Sequence, residues 1–237
     1  MIVNYTEKGW EIITQRAHGL LAGQICARWE ISDQPSRWVE TLIATTEHDD
    51  VFNELQLGPL LTKAGGPVDF KMTCFNEQAC RHMIEMALSK STFIALLFAR
   101  HIGFTHGNDP AAKIYLAELK KVEAKWIKNA DTNTTEVNRA YELLEFCDAF
   151  SLLICQNQLP PEERKLEISR GPSGKSYQFF QKENRLIVVP WPFETENFNV
   201  MYESRTLKDI RFRNETGFRK ALQNAKVEMK KIDISSR

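Results

Sequence analysis

Four residues interrupt the apolar periodicity of helical segments with side chains that ligate metals: His18, the adjacent pair His48-Asp49, and Asp148. Asp148 is the sharpest of them. Tyr141, Leu144, Leu152 and Cys155 lie one and two turns to either side, so it occupies the middle of an apolar stripe. A carboxylate buried there without a partner is strongly destabilising or stays protonated, and a cation removes the conflict. His18 opens the stripe Ala22, Ile25 and Trp29. His48-Asp49 closes one formed by Trp38, Leu42 and Thr45. Two imidazoles and two carboxylates make a charge-compensated ligand set for a divalent ion such as Mn, Fe, Zn, Ni or Co. Taken singly, each has a plainer reading. Asp148 suits a structural salt bridge or a cap, His18 a satisfied core histidine, and Glu47-His48-Asp49-Asp50 a solvated helix end. The conjunction points to a metal.

Helices and one long loop must position these groups. Residues 2–15 read as a hairpin turning at Glu7-Lys8-Gly9. A helix follows over about 17–29, and another starts after Ser36 as N-cap and carries His48-Asp49 at its end. Residues 51–74 are irregular and rich in glycine and proline, a stretch able to wall or cover a site. Helical patterning resumes over 76–106, with a break near 89–91, then over 110–129 and 136–156. His101 shares a face with Ile94, Leu97 and Phe104 and points inward, whereas His82 and His106 read as ordinary. After Pro161 the pattern changes to short strands, LEIS, YQFF, RLIVV and NVMYES, and a polar amphipathic helix is expected over about 216–231.

The 237 residues carry 31 basic and 31 acidic side chains, with a pI near 7.0. That balance argues against an extended nucleic-acid or anionic-membrane surface. Five cysteines without a C-x-x-C spacing point to a reducing cytoplasm. The start of the chain lacks the pattern of a signal peptide, and no apolar run approaches membrane-spanning length.

AHGLLAGQICARW, ETLIATTEHDD and LLEFCDAFSLLIC resemble the first-His, His-Asp and final-Asp segments of the HD-domain metal-dependent phosphohydrolases. More closely, the chain resembles a bacterial domain family of unknown function. Its members combine those segments with an LT-x-x-G-x-P-x-DF loop (Leu61–Phe70), an ARH helix end (Ala99–His101) and a late PWPF segment (Pro190–Phe193). The resemblance implies a mainly α (α+β) fold in one domain, 1–237. An HD-like helical core would span 17–157. Residues 1–16 and 162–237 would add a small antiparallel sheet and a C-terminal helix. It implies His18, His48, Asp49 and Asp148 as metal ligands, with His101 as a ligand of a second ion, a hydrogen-bond partner of the set or a core histidine. Asp50 or Glu47 would be a general base or an orienting group, and the substrate a small phosphorylated molecule or nucleotide. Arg16, Lys63, Lys71 and Arg100 are the basic residues nearest the motifs. Two other classes stay open: a non-catalytic ligand- or partner-binding protein, and a di-iron oxygenase, which extra histidine ligands would favour.

Gly171-Pro-Ser-Gly-Lys-Ser imitates a phosphate loop, but Ser169 stands where its first glycine belongs and a strand pattern follows, so a turn is expected.

Overall fold

A computed structural model describes residues 1–51, 53–56 and 58–237. β1 (Ile2–Thr6) and β2 (Gly9–Ile13) form the expected hairpin, and Thr14 caps α1 (Gln15–Cys26) by accepting from the Ala17 amide. Then come α2 (Trp38–Glu47), α3 (Glu77–Leu88), α4 (Thr92–His106), α5 (Lys113–Asn129) and α6 (Thr134–Cys155). Asn76, Ser91 and Asn133 cap α3, α4 and α6 with side-chain oxygens, which fixes the breaks seen in the sequence. β3 (Leu166–Arg170), β4 (Ser176–Lys182), β5 (Arg185–Val189), β6 (Asn197–Leu207), α7 (Glu215–Asn224) and β7 (Val227–Ser235) complete the chain. Among the described residues no helix is long and apolar enough to cross a membrane.

All seven strands join one sheet in the order β1-β2-β6-β7-β5-β4-β3. Neighbours are antiparallel except β5 and β7, which are parallel. The sheet curls into a half-barrel, with helix at 47% and strand at 22% of the chain. This corrects the expected mainly α fold with a small antiparallel sheet. The main reason is local. The helix expected over 216–231 ends at Asn224, and Val227–Ser235 alternates between its two faces and pairs as a strand. β7 inserts between β6 and β5 and so fuses what would have been two smaller sheets.

α6 contributes to two apolar cores. Phe146 and Phe150 pack with Leu21, Ile25 and Trp29 of the α1 segment and with Phe179 of the sheet. Leu144 and Val137 pack on the other side with Ala44, Ile84, Phe93 and Leu97. Trp29 meets Phe146, Tyr177 and Phe193 edge-to-face, so the late aromatic segment plugs the junction of helices and sheet. Gly171–Ser176 is the expected turn, leading into β4 and not into a helix.

Of the long loop, Phe52 and Leu57 lie outside the described residues. Much of the rest is pinned down. The Leu60 and Leu61 amides donate to Glu215 at the start of α7, the Phe70 amide donates to the Met1 carbonyl, and Asp69 accepts from the Val3 amide.

α1 and α2 cross at glycines. A Cβ on Gly19 would stand 2.5 Å from the Thr46 carbonyl oxygen, and one on Gly23 would collide with the Thr46 hydroxyl. This contact sets His18 beside His48. Gly19→Ala is expected to destabilise by about 1–3 kcal/mol through overpacking. Gly103→Ala, in open space on α4, is expected to stabilise by up to ~1 kcal/mol through helix propensity. Urea denaturation of the two variants checks the contrast.

Candidate metal centre

α1, α2, α4 and α6 bring together all five residues expected as ligands. His18 comes from α1, His48 caps the C-terminus of α2, Asp49 follows it, His101 lies on α4 and Asp148 on α6. Two triads, His18/His48/Asp49 and His48/His101/Asp148, each have ligand atoms within 4.8 Å of one another. His18 Nε2 and His48 Nε2 are 3.3 Å apart, and lie 3.0 and 3.1 Å from Asp148 Oδ1. Asp49 Oδ2 stands 3.7 and 3.6 Å from the same two nitrogens, and Asp49 Oδ1 is 3.9 Å from His101 Nε2.

The surrounding hydrogen bonds orient the rings. His48 Nδ1–H donates to the Thr45 carbonyl at 2.8 Å, which leaves its Nε2 facing the cluster. Ser151 Oγ lies 2.8 Å from His18 Nδ1 and donates to the Asp148 carbonyl at 2.9 Å. With its proton there, it accepts from the imidazole. Gln15 Nε2 holds Asp49 Oδ2 at 2.8 Å. Thr41, Thr45 and Thr46 return their hydroxyls to carbonyls one turn back, so this polar helix face is buried with its groups satisfied.

Two imidazole nitrogens thus point at each other and at a shared carboxylate oxygen. Three lone pairs at these separations repel unless a proton or a cation sits among them. Nitrogens sharing one ion at about 2.0–2.1 Å are separated by roughly 3.0–3.4 Å, and the observed 3.3 Å falls there. The donors fit a divalent cation. Without one, a proton takes its place. Burial of His48 opposes charge, but Asp49 and Asp148 outweigh it and raise the imidazole to about 10. Burial works against both carboxylates too. The His48 charge nevertheless holds Asp49 at about 2 and Asp148 well below the usual range. Side-chain exposure rises from zero at His18 and His48 to 12% at Asp148 and 25% at Asp49, so the centre faces solvent on the Asp49 side.

Asp50 and Glu47 do not point into the cluster. Asp50 is held by Arg16 in a bidentate pair at 2.9 and 2.8 Å, and Glu47 pairs with Lys90. Arg100 is taken by Glu123 and Lys71 by Gln156, and Lys63 is exposed. A groove of about 600 Å³ runs along the outer side of α1, where Arg16, Leu20, Met201, Arg205 and Met229 line it, and none of the five residues does.

Residues 1–209 match the family described as "Protein of unknown function (DUF3891)". The chain belongs to this family. No curated protein and no solved structure matches it. The DUF3891 match contains every residue of the cluster and stops short of α7 and β7.

Sequence reasoning on this DUF3891 chain missed Gln15, Ser151 and Glu145. Ser151 was visible as a polar residue one turn after Asp148. Glu145, one turn before it, accepts from Ser169 Oγ at 2.8 Å, and burial pushes its carboxyl up to about 7. Gln15 carried no signal, because only the hairpin geometry aims it at Asp49.

Proposed function

We propose that the chain is a metal-dependent hydrolase whose substrates are phosphomonoesters or nucleotide phosphates. The carrying observation is the pair of buried imidazoles, each oriented through Nδ1, with Nε2 atoms converging on Asp148 and facing Asp49. The order His18, His48-Asp49, Asp148 supports the likeness to HD-domain phosphohydrolases. His18, His48, Asp49 and Asp148 hold the ion, and His101 completes the set on the α4 side. A divalent ion there supplies Lewis acidity and lowers the pKa of a coordinated water. Ser151, Gln15 and the Thr45 carbonyl keep the ligands aimed. Asp50 and Glu47, already paired, stabilise the end of α2. Glu145 is the carboxyl on this face of α6 that can hold or release a proton near neutral pH.

Metal content by mass spectrometry on wild type and His48→Ala/Asp49→Ala tests the first step. Near-stoichiometric metal in wild type, lost in the variant, is expected. Hydrolysis of a generic phosphoester and of nucleotides is then screened with Mn, Fe, Zn, Ni and Co. A well-folded chain that takes up no ion sinks the reading and leaves a non-catalytic binding role. The presence of His101 in the cluster favours a second reading, a di-iron oxygenase. Oxygen uptake by the iron-loaded protein, without phosphoester hydrolysis, would select it.

A further inference from the structure

Three buried polar atoms beside the cluster have no hydrogen-bond partner among the described residues: Gln15 Oε1, whose amide nitrogen already holds Asp49, and the adjoining pair Tyr141 Oη and His101 Nδ1. Their rings are neighbours, with centroids 6.3 Å apart and planes at 57°. Tyr141 lies two turns before Asp148 on α6, with Glu145 between them on the same face. His101 turns Nε2 toward Asp49, so its other nitrogen faces away from the ligands. Buried hydroxyls are nearly always paired, and one that is not calls for a ligand or an ordered water. Burial raises the Tyr141 phenol far above its ordinary range, so the group is a neutral donor. Formal positive charge nearby is already committed: Arg16 to Asp50, Lys90 to Glu47 and Arg100 to Glu123. Apart from the ion itself, an anion arriving at the centre therefore meets neutral donors.

We infer that Tyr141 is a binding residue of the centre, its hydroxyl donating a hydrogen bond to an oxygen of a phosphate-like oxyanion seated there. Exposed Phe104, whose ring centroid is 6.4 Å from that of Tyr141, walls the approach. This assignment rests on the metal reading above.

The test is cobalt(II)-loaded protein titrated with inorganic phosphate and followed by the visible absorption of the cobalt, for wild type and Tyr141→Phe. Equal cobalt content with phosphate affinity weakened about 10- to 100-fold in the variant is expected for loss of a donor to a charged acceptor. Wild type alone gives an independent readout, a tyrosine near-ultraviolet difference signal on adding phosphate. Equal affinity in the two proteins, or no difference signal, overturns the assignment and leaves an ordered water on the hydroxyl. Cobalt uptake without phosphate binding overturns it as well, and the metal reading stands. Absence of cobalt in wild type ends both.

Discussion

Asp148→Ala is expected to abolish metal uptake and to destabilise the metal-free protein by about 3–5 kcal/mol near pH 6. Among the described residues, Asp148 Oδ1 is the one oxygen within 3.1 Å of both buried imidazole Nε2 atoms. Its loss leaves the ion without a central ligand and, in the ion's absence, leaves a buried imidazolium short of its closest counter-charge. The loss of affinity should exceed the 10- to 100-fold cost of removing an outer hydrogen-bonding partner. Asp148→Asn separates the two effects, since it keeps the volume and loses the charge. Mass spectrometry gives the metal content and urea denaturation the stability. Unchanged stoichiometry in both variants would remove Asp148 from the site.

Metal affinity is expected to rise about tenfold per pH unit through neutrality, up to about pH 10, with about one proton released for each ion bound. The His48 imidazole is raised in the folded chain from 6.5 to about 10. Its contribution to stability is therefore complete below 6.5 and is lost as pH rises through about 10. Asp49 is depressed from 3.8 to about 2, so its contribution is present above 3.8 and is lost as pH falls through about 2. These two groups consequently stabilise the metal-free protein most between about pH 4 and 6.5. Above that window a divalent ion replaces the departing proton and restores stability. Calorimetric titration at pH 7.5 in buffers of different ionisation enthalpy counts the protons. An affinity flat between pH 6.5 and 8.5 would contradict the exchange.

The candidate set was legible because each member breaks a rule. A histidine or aspartate on an apolar stripe is costly, and four such residues on three helical segments have few common explanations. Orientation was not legible. Asp50 and Glu47 belong to the same charged run as His48 and Asp49, yet Glu47, the last residue of α2, pairs with Lys90, and Asp50, beyond its end, pairs with Arg16. Strands β3 to β6 could be read from their β-branched and aromatic runs, whereas β7 was hidden by lysines and glutamate that also suit a helix. Its alternation Val227, Met229, Lys231, Asp233 was in view, but the helix pattern of 215–224 was carried across it. The topology followed from that miss, because a sheet with β7 at its centre is a different object from one without it.

The position of β7 also bears on how the chain acquires its shape. β5 has no lateral partner toward the hairpin side until residues 227–235 arrive, and β6 has β2 alone. During synthesis the helices around the cluster and both half-sheets emerge first, with two rows of unpaired backbone groups waiting for the same late segment. Open edges of this kind invite wrong pairing with another chain. Closure depends on contacts distant in sequence, which form slowly. A nascent or truncated chain ending near residue 209 should thus be the form most prone to aggregate, even though it already holds every residue of the cluster.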